Sequence, residues 1–110
     1  MPKYKTVFDK VMLNQLRRLG KNKNLRAALS LMLDRIEEKG EKAGKLVDSQ
    51  LFIYEVKSKK PSLRLYFKPV ADSKRIYVFE YEMKKGNKKQ KATLRRIKDK
   101  VMKFLERLKT

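Results

Sequence analysis

Three strand-like runs packed into residues 51–82 constrain this chain most. Leu63, Leu65 and Phe67 alternate with Arg64, Tyr66 and Lys68, the period-two pattern of a strand with one covered face and one open face. Leu51 to Lys57 precedes it, with Phe52, Tyr54 and Val56 on one side and Leu51 and Ile53 on the other. Both sides begin apolar, as in an interior strand. Arg75 to Glu82 follows as a third run. Short turns, a basic one at 57–62 containing Pro61 and a second at 69–74, leave a meander as the simplest pairing.

Around this meander the periodicity is helical. Lys3 to Phe8 reads as a short first strand, and Asp9 is a candidate helix cap, its carboxylate able to accept first-turn amides. Met12, Leu16 and Leu19 form one stripe, with Leu13 beside it, and Gly20 supplies a left-handed stop. Asn24 is a second candidate cap. Leu25, Ala28, Leu29, Met32 and Ile36 make the next stripe, ending at Gly40. Residues 41–50 read as a polar connector. A last helix is expected over 91–108, with Leu94, Ile97, Val101, Leu105 and Leu108 facing the core. The predicted order is β-α-α-β-β-β-α. The class is α+β, an antiparallel sheet with a helix pair on one face and a C-terminal helix. The other sheet face is left for Arg64, Tyr66 and their neighbours. At 110 residues the chain suits one domain.

Charge sets the class of partner. The 31 Lys and Arg against 12 Asp and Glu leave a formal net charge of +19, which favours nucleic acid, an anionic membrane surface or an acidic protein. No apolar run approaches the roughly 18 residues of a spanning helix, and the first residues show no signal-type stretch. An intracellular, cytoplasmic protein without a membrane partner is the expectation. The chain has no Cys and no His. Thiolate chemistry, the usual zinc ligands and histidine acid–base catalysis are thereby excluded. Any catalysis falls to Lys, Arg, Tyr or carboxylates, with neither metal nor cofactor expected.

Two features carry that chemistry. From Met83 to Lys98 there is no acidic residue, while Lys84, Lys85, Lys88, Lys89, Lys91, Arg95, Arg96 and Lys98 crowd the window. Phosphates would relieve the mutual repulsion and release counterions; a solvated loop and helix face has the same composition. Arg64 is the sharper feature. A guanidinium between Leu63 and Leu65 needs an open face or a partner, and its planar fork suits phosphate oxygens. The alternative partner is Glu55 or Glu80 across the sheet. Tyr54, Tyr66, Tyr77 and Tyr81 are each able to stack on bases or to pack in the sheet. Glu80 and Glu82 share a strand face and read as ion-pair partners for lysines.

The order Phe8–Leu19, a helix ending at Gly40, Gly44-Lys45-Leu46, Leu51–Val56, Arg64-Leu65-Tyr66-Phe67 and Met83-Lys84-Lys85 resembles the RelE/HigB (ParE-like) toxin superfamily over nearly the whole chain. The resemblance implies the toxin of a toxin–antitoxin system, a ribosome-dependent mRNA endonuclease that needs no metal and is neutralised by an acidic antitoxin. It implies catalytic roles for Arg64, for Lys57 or Lys60 as a base, and for Lys84 and Lys85 in stabilising charge. Crowded positive charge eases loss of a lysine proton. Lys59, Tyr66, Lys68, Tyr81, Lys88, Lys89, Lys91 and Arg95 would hold the RNA. Many active members carry a His or Tyr near the C-terminal end; this chain has neither after Tyr81. A non-catalytic nucleic-acid-binding protein of the same fold and a gyrase-directed toxin are the other readings.

Overall fold

The computed structural model describes residues 3–84 and 86–109. A sheet of five strands runs through the molecule in the order β1-β5-β4-β3-β2. In chain order the elements are β1 (Lys5–Phe8), α1 (Lys10–Arg17), α2 (Lys23–Lys39), a 3₁₀ turn (Gly40–Ala43), β2 (Lys45–Asp48), β3 (Ile53–Lys59), β4 (Ser62–Pro69), β5 (Arg75–Met83) and α3 (Asn87–Lys109). The α+β class, the helix pair and the β3-β4-β5 meander are as the periodicity predicts.

Four features differ from expectation. The connector over 41–50 contains β2, antiparallel to β3 through Lys45–Glu55 and Leu46–Tyr54; two alternating pairs are too short for a period to show. β1 runs parallel to β5, so the sheet is mixed rather than wholly antiparallel. The helix pair between β1 and the meander acts as the crossover that parallel pairing requires. Asn22, not Asn24, caps α2, accepting the Leu25 amide at 3.1 Å. Finally, α3 begins at Asn87, four residues before the expected start.

Each sheet face is covered. Val56, Leu63, Leu65, Phe67, Ile76 and Val78 meet Met12, Leu29, Met32 and Ile36 of the helix pair. On the other face Ile53, Tyr66 and Phe79 meet Ile97 and Val101 of α3. The face expected to lie open around Arg64 and Tyr66 is therefore roofed by the C-terminal helix. A β-bulge between Tyr66 and Phe67 in the β4–β5 register makes this possible. It places Phe79 and Glu80 on the same side, so the apolar strip under α3 passes directly into an acidic one.

Candidate functional site

Register arranges the α3 face in rows about 7 Å apart, two residues along each strand. Nearest the β3–β4 turn, Lys59 lies across from Ser62, and the Lys84 amide donates to the Ser62 carbonyl at 3.1 Å. The next row is Lys57, Arg64 and Glu82; the third is Glu55, Tyr66 and Glu80. The face thus grades from cationic to mixed to acidic. Sequence places these residues many positions apart, and only the antiparallel register sets them abreast.

Arg64 occupies the boundary. Its side chain is 11% exposed, and its Nε lies 3.7 Å from Glu55 Oε2. That is an ion pair, but too long for a hydrogen bond. Among the described residues nothing accepts a hydrogen bond from its buried Nε or Nη1. Buried polar nitrogens normally have partners, so this guanidinium is charge-compensated yet has donors to spare. Glu55 also forms an ion pair with Lys57 Nζ at 3.3 Å and accepts from Gln90 Nε2 at 3.1 Å.

The acids are held from above and from the side. Glu82 accepts from the Tyr66 hydroxyl at 2.6 Å and from the Thr93 hydroxyl. Arg96 bonds Glu80. Among the described residues neither acid pairs with a lysine, the role that their spacing alone implied. Burial, together with the Glu82 carboxylate, pushes the Tyr66 phenol far above its ordinary range, so it stays a neutral donor. Among the described residues no group of three His, Cys, Asp or Glu is arranged to hold a metal ion.

Of the residues expected at a site, Arg64, Lys57, Lys59 and Lys84 are brought together, with Lys60 on the adjoining turn. Lys85 lies outside the described residues. Lys88, Lys89, Lys91 and Arg95 are exposed on α3. Three expectations are corrected. Tyr66 is fully buried with its hydroxyl engaged, so its ring presents no face to a base. Tyr81 packs against the helix-pair core on the opposite face; strand alternation separates it from Arg64. Lys68 turns inward, donating to the Leu51 carbonyl and lying 5.6 Å from the Phe52 ring centroid. Burial favours its neutral form, partly offset by Asp48.

Sequence reasoning missed Gln90 and Thr93, and placed Arg96 in the basic window without its partner Glu80. Their i, i+3, i+6 spacing beside Leu94 and Ile97 marks one helix stripe, but polar residues there read as solvated until the acids beneath them are known.

No protein-family model and no curated protein sequence matches the chain. Solved structures do. The isolated E. coli RelE toxin superposes with a TM-score of 0.61 at 22% identity, over 86% of this chain and 98% of that one. The fold is RelE-like. The toxin in the intact E. coli RelBE toxin–antitoxin complex gives 0.60 at 23%, over 76% and 99%. A free double arginine-to-alanine variant of E. coli RelE gives 0.64 at 22%, over 88% and 99%.

Proposed function

We propose that this RelE-like chain is the toxin of a type II toxin–antitoxin system, a metal-independent endoribonuclease that cuts mRNA on the ribosome in the cytoplasm. The observation that carries the reading is Arg64: a nearly buried guanidinium with unspent donors, flanked by Lys57 and bordered by the Lys59–Lys84 row. A phosphate entering from the cationic end supplies the acceptors that Arg64 lacks. It competes with Glu55 for that charge, so a weakly held free anion is disfavoured against one positioned by many backbone contacts.

In this reaction the ribose 2′-oxygen attacks the adjacent phosphorus and the bond to the 5′-oxygen breaks. A lysine, Lys57 or Lys60, accepts the 2′-hydroxyl proton, and a cationic lysine returns one to the leaving oxygen. Arg64 with Lys84 and Lys85 stabilises the negative charge that builds on the non-bridging oxygens. The products are a 2′,3′-cyclic phosphate and a 5′-hydroxyl. Lys59, Lys88, Lys89, Lys91 and Arg95 supply backbone contacts. The partner is an acidic antitoxin, as its +19 charge favours and as solved RelE toxins are found with antitoxin.

The rival is a non-catalytic RNA-binding protein of this fold. The neutralisation of Arg64 by Glu55 favours it, as does the engagement of Tyr66 by Glu82. Mapping mRNA ends on translating ribosomes separates the two. Arg64→Ala is expected to lower cleavage about 10²-fold or more, the size of one lost transition-state donor, while RNA affinity changes little because the lysines are numerous. Intact mRNA with wild-type protein overturns catalysis.

A further inference from the structure

At the end of the sheet opposite the β3–β4 turn, the chain holds two costly features together. The first is a pair of exposed aromatic rings. Contacts of α3 move back along β5, from Glu82 at Thr93 to Glu80 at Arg96. Its last turns therefore reach the end where β3 starts and β4 stops. There Phe52, just before β3, is 56% exposed, and Phe104, three residues past the buried Val101, is 61% exposed. Phe52 also has φ +54°, a left-handed backbone that a bulky side chain adopts only under strain. The turn is held from both sides: Asp48 accepts the Leu51 amide at 2.8 Å, and Lys68 donates to the Leu51 carbonyl. A glycine would take this conformation without strain; this chain holds an aromatic ring there, in solvent.

The second is uncompensated positive charge. Parallel pairing sets Lys5 beside Arg75, and like charges abreast in a sheet destabilise it. Lys74 adjoins them, its carbonyl accepting the Lys5 amide at 2.8 Å, and Lys103 precedes Phe104 on α3. All four cations are exposed, and among the described residues none forms an ion pair. The turn before Arg75 holds one acid, Asp72. This charge repels a second copy of the same end. Phosphates would relieve the repulsion and release counterions, and exposed rings offer unpaired bases a face to stack on.

We infer that this end is a second nucleic-acid contact, where unpaired bases of a single strand stack on Phe52 and Phe104 while its phosphates lie against Lys5, Lys74, Arg75 and Lys103. The aromatic rings distinguish this occupant from a purely electrostatic one, and the cations distinguish it from an apolar protein surface. The inference goes beyond the nuclease reading. The site lies at the opposite end of the sheet from Lys59 and Lys84, and its test reads binding rather than cleavage, so the two readings fail separately.

The probe is a six-nucleotide oligoriboadenylate titrated into isotope-labelled protein. Ring protons of Phe52 and Phe104 are expected to shift and to show nuclear Overhauser contacts with adenine protons. Phe52→Gly is expected to weaken binding at this end, read from the Phe104 ring, by about fivefold or more, the scale of one lost stack. Its melting temperature is expected not to fall, because glycine accepts the left-handed backbone. Lys5→Gln with Arg75→Gln, both at exposed positions, is expected to lower the log–log salt slope at this end by about 1. An abasic strand with the same phosphates is expected to leave both rings unshifted. Equal binding of the abasic strand at this end, no shift at either ring, or ring shifts that appear on concentrating the protein alone would each overturn the inference. So would Phe52→Gly with a lowered melting temperature and unchanged affinity, which would make the ring a packing residue.

Discussion

The two faces of the sheet are held by different forces. Against α1 and α2 the contact is apolar, with Met12, Leu29, Ile36, Leu63, Leu65 and Phe67 at or near zero exposure. Under α3 the apolar strip is narrower, and five acids around it each find a partner on the helix. Glu55 takes Gln90, Glu82 takes Thr93, Glu80 takes Arg96, Asp48 takes Lys98 and Asp9 takes Lys100. Hydrophobic burial is non-directional and insensitive to pH. Charge-assisted hydrogen bonds are directional and respond to pH and salt. The helix pair builds the fold; α3 is fastened to it through these polar contacts.

The largest test of this contrast is Phe67→Ala. It empties a fully buried position beneath the helix pair and is expected to cost about 3–5 kcal/mol, read by chemical denaturation as loss of the whole fold. A smaller change would show that the apolar face is not the main source of stability. Tyr66→Phe comes next. It removes one of two donors to the buried Glu82 and is expected to cost about 1.5–3 kcal/mol. Loss of amide-exchange protection should concentrate in α3. Equal loss in α2 would dissolve the distinction between the faces.

The smallest test is pH. Burial pushes the Asp9 carboxyl up, but hydrogen bonds from Lys100, Tyr77 and the Val11 amide outweigh it and hold the group below its usual value. A depressed carboxyl stabilises the fold above its unfolded value, near 3.8, and that share fades as pH falls through the folded one. Asp9→Asn keeps a capping side chain but loses the charge. It is expected to cost about 0.5–1 kcal/mol at neutral pH, as for a partly exposed ion pair. Melting temperatures of variant and parent should converge as pH falls below 3.8 and through the lower folded value. A gap that persists there would assign the effect to shape rather than charge.

Much of the α1–α2 side was legible in the sequence. The stripe from Leu25 to Ile36 and the alternation of Leu63, Leu65 and Phe67 record burial directly, because an apolar face repeats with the period of its own element. Asp9 was legible as a cap, and accepts the Val11 amide at 2.9 Å. The cluster of Arg64 with Lys57 was half legible. An arginine in mid-strand marks a special position, but the sequence leaves Glu55 and Glu80 as equal partners; the structure pairs it with Glu55. Tyr66 and Lys68 misled, because strand alternation places them opposite the apolar residues, and that position reads as exposed unless something else covers it.

By itself, the sequence determined most of the strands and helices, the short β2 excepted, which stripe of each is apolar, and that the chain carries a large excess of positive charge. Those properties follow from local spacing and net charge. Only the tertiary structure decided that β1 lies parallel to β5, that α3 roofs the second face, and that the edge of β5 beyond β1 is closed by Gln15. Each depends on residues tens of positions apart. A Glu on a strand has the same local pattern whether it faces water or a threonine and an arginine on a helix, and the cost of burying it is offset only when those partners arrive.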